Sequence, residues 1–327
     1  MTERFSLGIL EPRRVLTGLW QVADQERAGP LDEAKAAAAL AAYVDAGFDT
    51  FDMADHYGSA ELIAGRAAAE RPGQTLSFTK WCPEPGPMTC KVVRDGVGER
   101  LKRLNTGALD LLQFHWWSFE HPAWLDALHG LAYLREEGVI REVGVTNFDA
   151  AHLNLALADG VPLVSNQVSF SLIDRRAAGP LRTVCQERDV KLLAYGTLCG
   201  GFLTDRWLGA PKPDLVGDWS GQKYLRFIEA AGGWDAYQGV LRAAAAVAKR
   251  HQVSIANVAT GWVLDHDHVG GVIVGARLGE REHSGDNAVL DTLRLDDEDR
   301  ARLADACAAL TPVPGDCGDE YRKPPFL

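Results

Sequence analysis

The chain has 327 residues, of which 46% are hydrophobic, and carries a formal net charge of −11. This length and hydrophobic content suffice for one large domain with a sizeable core. The acidic balance, with Lys and Arg scattered rather than clustered, argues against a nucleic-acid groove or an anionic membrane surface as the partner.

The cysteines favour a reduced, cytoplasmic protein. None of the six forms a C-x-x-C pair, and no His, Cys or carboxylate cluster has the spacing of a zinc site. The first residues lack the basic and apolar segments of a signal peptide, and no apolar run is long enough to span a bilayer. We therefore expect no metal site and no membrane segment. The cysteines are Cys82, Cys90, Cys185, Cys199, Cys307 and Cys317.

Eight short apolar segments rich in β-branched and aromatic residues alternate with Ala- and Leu-rich segments. The predicted strands are 15–20, 50–53, 76–80, 109–115, 142–146, 163–168, 191–195 and 271–274. The predicted helices are 31–46, 59–70, 90–104, 123–137, 150–158, 176–188 and 254–265. Strands that alternate with helices of this length predict a parallel sheet, and eight such units close into a (β/α)8 TIM barrel. We predict a single domain over residues 1–327.

Three segments depart from this alternation. Residues 205–234 are rich in Gly, Pro and Trp, and the segment is too long for a plain connection, so we predict a functional loop after the seventh strand. Residues 312–327 read as an extended tail that packs near the barrel mouth. Residues 4–14 precede the first strand and can form a hairpin.

Four chemically active side chains lie at the ends of successive predicted strands. Asp52 ends the second, Lys80 the third and His115 the fourth, and Tyr57 follows Asp52 in the adjoining turn. The carboxyl ends of parallel barrel strands face one mouth, so these residues are expected to meet there. Each alone has an ordinary alternative: a turn cap, a solvated Lys, a packed His or a half-buried phenol. Together they predict a proton-donating site built around a phenol.

The expected roles follow from elementary acid–base chemistry. A phenol with a pKa near ~10 gives up its proton reluctantly at neutral pH. A neighbouring ammonium, here Lys80, would lower the pKa of Tyr57. Asp52 would pair with Lys80, and His115 would hydrogen-bond the substrate oxygen beside Tyr57.

These residues and several later motifs resemble the aldo-keto reductase superfamily over nearly the whole chain. The motifs occur in the family's order: Asp-x-x-x-x-Tyr-Gly from Asp52, Thr-Lys at Lys80, His-Trp at His115, then Gly-Val-Thr-Asn-Phe at 144–148, Ser-Asn-Gln at 165–167, Ala-Tyr-Gly at 194–196 and Val-Gly-Ala-Arg at 274–277. The resemblance implies a hairpin at 4–14 that plugs the barrel bottom. It also implies a nicotinamide cofactor bound across the barrel mouth. A Rossmann-type dinucleotide site is not indicated, because no G-x-G-x-x-G motif follows a predicted strand.

The resemblance further implies which residues hold the cofactor. Asn166 and Gln167, with Ser165 beside them, would bind the nicotinamide carboxamide. Tyr195, followed by Gly196, would stack on the nicotinamide ring, although packing at the barrel mouth is an alternative for it. The Gly200–Gly201 pair would allow close approach of the backbone to the pyrophosphate, or would form an ordinary turn.

The adenosine end is implied by Gly275 and Arg277, followed by a helix that carries Asp286 and Asn287. The stretch from Gly275 to Asn287 is about two residues longer than the family pattern, so the position of a second phosphate-binding residue is ambiguous. Counting forward from Gly275 places it at Arg281, and counting back from Asn287 places it at His283. Arg277 and Arg281 favour a 2′-phosphate and hence NADP over NAD, with surface solvation as the alternative for both.

Tryptophans at strand ends suggest an apolar substrate pocket. The group consists of Trp20, Trp81, Trp116 and Trp117, and core packing is an alternative for any one of them. The predicted function is reduction of an aldehyde or ketone, or oxidation of the corresponding alcohol or sugar. The alternatives are a nucleotide-binding, redox-sensing subunit with little turnover, and a barrel enzyme with unrelated chemistry. The sequence specifies neither the substrate, nor the direction of the reaction, nor the oligomeric state.

Overall fold

A computed structural model describes residues 3–23, 26, 31–280 and 282–322. Eight parallel strands form a closed barrel in sequence order, as predicted. The strands are β1 Val15–Gly18, β2 Thr50–Asp52, β3 Leu76–Trp81, β4 Leu109–His115, β5 Ile140–Thr146, β6 Leu163–Ser169, β7 Lys191–Tyr195 and β8 Val269–Gly275.

Helices surround the barrel and follow the strands. In the described residues they are α1 Glu33–Asp45, α2 Ala60–Glu70, α3 Cys90–Leu104, α4 Trp124–Glu136, α5 Ala150–Ala158, α6 Pro180–Arg188, α7 Trp219–Ala230, α8 Gly233–His251, α9 Ile255–Leu264, α10 Ser284–Ala288 and α11 Asp297–Ala308. Side chains cap several of the helix starts: Asp32 accepts from the N–H groups of Ala34 and Lys35 at the start of α1. The largest buried cluster lies between the strands and the helices.

The N-terminal hairpin is formed as the resemblance implied. Isolated antiparallel bridges join Arg4 to Arg13 and Leu7 to Leu10. Leu7 and Leu10 are buried in a small cluster with barrel residues such as Phe78 and Leu111. The hairpin therefore closes the barrel interior opposite the mouth, and the side chains that end the strands are left facing the other end.

The register of the strands gathers the polar strand ends at this mouth. Gly18 pairs with Asp52, Lys80 pairs with Gln113, and Thr146 pairs with Gln167 across adjacent strands. Because the strands are parallel, their carboxyl ends meet on one side of the sheet. The predicted reactive residues are therefore brought to one opening.

The segment 205–234 is more regular than predicted. Helix α7 occupies Trp219–Ala230, and Asp218 caps it by accepting from the N–H of Gly221. The long helix α8 follows almost at once and packs in a second cluster with α9 and α11. The glycines, prolines and tryptophans had indicated an irregular loop, but only residues 208–218 and 231–232 lack helical structure there. The helix predicted at 176–188 is split at Gly179 into a 3-10 turn and α6.

All six cysteines are free thiols, in agreement with their wide spacing. Among the described residues, none of the helices combines the length and the apolar character that crossing a bilayer requires.

Candidate active site

A buried ion pair lies at the centre of the mouth. Lys80 Nζ donates to Asp52 Oδ2 over 2.7 Å and to the Met53 carbonyl over 2.9 Å. Gln113 and Gln167 donate to the other oxygen of Asp52 over 3.0 and 2.7 Å. Both charged side chains are almost fully buried, so the pair is screened little by water. This network fixes the orientation of Lys80.

Tyr57 is brought over this pair by the turn that follows β2. Lys80 Nζ lies 5.0 Å from the centroid of the Tyr57 ring. Burial raises the pKa of Tyr57 well above its ordinary value, and the negative charge of Asp52 adds to this. We expected the pKa of Tyr57 to be lowered by Lys80, but burial and the charge of Asp52 outweigh the ammonium, so the pKa is raised. The phenol keeps its proton.

His115 completes the group of four. Burial lowers its pKa well below the ordinary value, with the charge of Arg322 acting in the same direction, so the imidazole is neutral. Its Nε2 is 3.5 Å from Asn147 Nδ2, which is too long for a strong hydrogen bond. Trp117 packs against the imidazole at 4.2 Å between ring centroids. A neutral imidazole in this position can offer one N–H to an oxygen in the cavity.

These four residues border a cavity of about 1020 Å³ at the barrel mouth. Its wall near Tyr57 is mainly aromatic. Trp20 lies 4.8 Å from Tyr57 between ring centroids, and Trp219 lies 5.8 Å from Trp20. Trp20 therefore lies where the sequence predicted it. The other aromatic wall residues near the reactive group are His56, Trp117, Tyr195 and Tyr321.

Two of the tryptophans predicted for the pocket are core residues instead. Trp81 and Trp116 are 5% and 0% exposed and belong to the cluster beneath the helices. The indole of Trp81 faces Gly96 of α3, where an added Cβ would lie 2.5 Å from the ring. The indole N–H of Trp116 donates to the His121 carbonyl. The neighbouring Trp117 does line the cavity.

Most of the residues predicted to bind the cofactor lie on the same cavity wall. They are Gln167, Tyr195, Gly196, Gly200, Gly201, Gly275, Arg277, Asp286 and Asn287. His283 also lines the wall and lies 3.6 Å from Asp286. Arg281, the other candidate for that position, lies outside the described residues.

Ser165 and Asn166 do not reach the cavity. The side-chain amide of Asn166 is fully buried and bonds to the main chain of Phe148 in both directions, with Nδ2 donating over 2.8 Å. Ser165 is buried against Gly144 of the adjacent strand. Side chains alternate along a strand, so Gln167 points into the barrel whereas its neighbour Asn166 points outward to the helices. This corrects the prediction for both residues.

Asn147, which the prediction passed over, occupies the cavity wall instead. It follows β5 in the motif at 144–148 and has a φ of +58°, which turns the chain sharply at the mouth. Its Oδ1 accepts from the Tyr195 hydroxyl over 2.9 Å. Thr146 beside it also lines the cavity, and its buried hydroxyl has no partner among the described residues. The position of the 144–148 motif at a strand end was the sequence feature that could have indicated both residues as part of the site.

Two segments fold over the opening. Trp20 Nε1 donates to the Ser220 hydroxyl, and Glu26 accepts from the same hydroxyl and from the Ser220 N–H. Burial raises the pKa of Glu26. The tail reaches the mouth, as predicted, through a 3-10 turn at Asp319–Tyr321. Arg322 anchors this turn by donating to the carbonyls of Asn147 and Trp116.

Asp55, His56 and Cys82 bring three potential metal ligands within 4.8 Å of one another, a cluster that the sequence spacing did not indicate. Asp55 already accepts from the N–H of Cys82 and pairs with His56. Burial raises the pKa of the Cys82 thiol well above its ordinary value, which keeps it protonated. The cluster is explained as a hydrogen-bonded support for the turn that carries Tyr57.

Comparison with known proteins identifies the family. The sequence profile described as the Aldo/keto reductase family matches residues 14–308. Protein tas of Escherichia coli strain K12 is 32% identical over 207 residues, which cover 57% of this chain and 58% of that protein. An NADH-specific methylglyoxal reductase of the same organism is 25% identical over 81% of this chain and 85% of its own length.

The matches to the first curated relatives span less than two thirds of those proteins; for Flagellar radial spoke protein 5 of Chlamydomonas reinhardtii the share is 33%. Among solved structures, a glycerol dehydrogenase from Gluconobacter oxydans superposes with a TM-score of 0.77 at 26% identity, covering 96% of this chain and 97% of that chain. The profile match over most of the sequence, together with the barrel and its mouth, shows that the chain belongs to the aldo/keto reductase family.

Proposed function

We propose that this protein reduces an aldehyde or ketone with a nicotinamide nucleotide, with Tyr57 as the proton donor. The observation that carries the proposal is the convergence of Asp52, Tyr57, Lys80 and His115 at one mouth of the barrel, beside a cavity of about 1020 Å³. The reverse oxidation of an alcohol or sugar uses the same groups with the proton moving the other way.

Each residue has a role that its environment supports. The Tyr57 phenol keeps its proton and is therefore ready to give it to the oxygen of a reduced carbonyl. The neutral His115 offers a hydrogen bond to the same oxygen. Lys80, held by Asp52, places a positive charge beside the phenol and stabilises the phenolate once the proton has left. When bound, the nicotinamide supplies the hydride to the carbonyl carbon.

The cavity wall fits such a nucleotide. Thr146 offers a buried hydroxyl that has no partner within the described part of the chain, and Asn147 and Gln167 offer amides beside it, as the carboxamide of a nicotinamide requires. Tyr195 presents an aromatic ring for stacking. At Gly200, with a φ of +64°, an added Cβ would lie 2.7 Å from the Tyr224 ring, so a side chain there would disturb the wall.

NADP is the proposed cofactor rather than NAD. Arg277 lines the far end of the cavity, half exposed, and its nearest acid is Glu280 at 3.9 Å. A guanidinium in this position suits a 2′-phosphate. An NADH-specific relative exists, so the preference needs a direct measurement.

The test is a titration of the purified protein with NADPH and with NADH, followed by quenching of tryptophan fluorescence, and then turnover on a panel of carbonyl compounds. We expect NADPH to bind more tightly, and Arg277→Ala to weaken NADPH about tenfold or more while leaving NADH nearly unchanged. Equal or tighter binding of NADH would overturn the NADP assignment.

The same experiment distinguishes the proposed reductase from the two alternative functions. Tight nucleotide binding without turnover on any carbonyl would favour a redox-sensing subunit. No binding of either nucleotide would contradict the proposed function and favour unrelated barrel chemistry.

A further inference from the structure

A second phenol and ammonium lie at the mouth, contributed by the tail and by α7. Lys223 Nζ donates to the Tyr321 hydroxyl over 2.6 Å. The Lys223 side chain is only 4% exposed although it lines the cavity. No part of the chemistry assigned to the group around Tyr57 uses either residue.

The ammonium is held by an aromatic cage rather than by a close carboxylate. Lys223 Nζ lies 4.5 Å from the centroid of the Tyr321 ring and 5.0 Å from those of Tyr195 and Tyr224. The nearest acid, Glu320, is 3.8 Å away and is also paired with an arginine. Rings at these distances stabilise a buried cation. Burial alone would lower the pKa of Lys223, but the two tyrosine hydroxyl groups and Glu320 more than offset it and raise that pKa, so Lys223 stays charged.

The bond from Lys223 decides what the Tyr321 hydroxyl can do. Because an ammonium only donates, the Tyr321 oxygen must accept, and its own proton remains available. The Tyr195 hydroxyl points to the Tyr321 oxygen only over 3.4 Å, longer than an ordinary bond between hydroxyl groups, and the Tyr321 O–H has no acceptor of its own among the described residues. The Tyr195 proton is itself given to Asn147 at 2.9 Å. The Tyr321 proton can therefore go to a ligand in the cavity.

Tyr321 is close enough to the reactive group to contact a small substrate. Its ring centroid lies 6.0 Å from that of His115 and 6.2 Å from that of Trp117. On its other side it stacks on Trp219. Tyr321 therefore borders the part of the cavity in which a small molecule with its carbonyl oxygen facing Tyr57 and His115 would lie.

We propose that Tyr321, oriented by Lys223, is a specificity-determining hydrogen-bond donor that recognises a second oxygen of the substrate, next to the reacting carbonyl. The preferred substrate class is then an α-oxygenated carbonyl, such as a hydroxyaldehyde, rather than a plain alkyl aldehyde. This inference rests on the proposed reductase function. Lys223 acts through Tyr321 as a positioning residue.

The test compares two three-carbon aldehydes, glyceraldehyde and propanal, in NADPH-dependent turnover. We expect the wild type to favour glyceraldehyde in kcat/KM, and Tyr321→Phe to lower that preference about 3- to 10-fold, mainly through KM, because one neutral hydrogen bond is lost. Lys223→Met should lower the preference in the same direction. Tyr321→Phe keeps the ring of the cage, so it remains informative if the Lys223 variant does not fold.

A control variant separates recognition from packing of the tail. Arg322→Gln removes bonds that anchor the same turn but keeps the Tyr321 hydroxyl and its bond from Lys223, so both substrates should lose activity and their ratio should change less than in Tyr321→Phe. An unchanged ratio in Tyr321→Phe, or a wild type that does not prefer glyceraldehyde, would overturn the inference while leaving reductase activity established. Failure of the wild type to reduce either aldehyde points instead to failure of the proposed function.

Discussion

The buried pair of Asp52 and Lys80 makes a quantitative prediction about stability. In Asp52→Asn the Lys80 ammonium keeps its bond to the Met53 carbonyl but loses the one carboxylate that pairs with it among the described residues, in a site where both side chains are less than 5% exposed. Breaking a buried pair by removing one partner costs about 3–5 kcal/mol. The folding equilibrium should therefore fall by roughly two to three and a half orders of magnitude, since about 1.4 kcal/mol is a factor of ten.

Removing the other member of the pair, Lys80, should lower the free energy of unfolding less. In Lys80→Met, Asp52 retains the amide donors of Gln113 and Gln167, so we expect a loss of about 1–3 kcal/mol. The double variant Asp52→Asn/Lys80→Met removes both charges at once. It should be more stable than Asp52→Asn alone, because no unpaired charge remains buried.

The assay is equilibrium unfolding in urea at pH 7, monitored by far-UV and near-UV circular dichroism to verify that the two transitions coincide. The reasoning is refuted if Asp52→Asn loses less than about 1 kcal/mol, or if the double variant loses as much as the two single variants together. Either result would mean that water or another anion reaches Lys80.

Two further predictions concern the neighbouring aromatic and imidazole groups. Trp116 is a core residue, so Trp116→Phe should lower the free energy of unfolding by about 1–3 kcal/mol with little change in KM. Trp117 lines the cavity, so Trp117→Phe should raise KM with little loss of stability. Similar changes in KM in the two variants would contradict this placement. Burial holds the pKa of His115 well below its ordinary value of about 6.5. Below that pH the unfolded chain therefore binds a proton that the folded chain does not. The free energy of unfolding should fall between pH 7.5 and pH 5, by at most about 1.4 kcal/mol per pH unit for this group. His115→Asn should reduce this slope relative to the wild type, and an equal slope in the two proteins would show that His115 is not the group responsible.

The barrel was predictable because each β/α unit is locally consistent in its sequence. Strands β4 and β7 and helices α3 and α5 have the predicted bounds, and the other strands differ by one to two residues at one or both ends. Helices α7, α8, α10 and α11 were not among the helices predicted from the sequence pattern. The helix α7 was missed because its surroundings are rich in Gly, Pro and Trp. Its apolar spacing, with Tyr224, Phe227 and Ile228 buried, is nevertheless that of an amphipathic helix behind an Asp cap.

The site was predictable only where a strand end fixes the direction of a side chain. Asp52, Lys80 and His115 end strands, and parallel strands bring them together. Asn147 lines the cavity where Asn166 was predicted, and Trp117 lines it whereas Trp116 does not. Which residue reaches the cavity depends on the face of the strand or turn that it occupies, and a shift of one position along the chain reverses that face. Lys223 and Tyr321 meet through tertiary packing of segments 98 residues apart, which no local pattern reveals.

The most direct test of the account is Tyr57→Phe, which removes one hydroxyl and keeps the ring beside Trp20. Turnover of the best carbonyl substrate and the dissociation constant of NADPH should be measured on the same preparation. The account predicts a fall in kcat of about 10²-fold or more, with the NADPH dissociation constant changed less than about threefold. Turnover near the wild-type rate in this variant would contradict the assignment of Tyr57 as the proton donor.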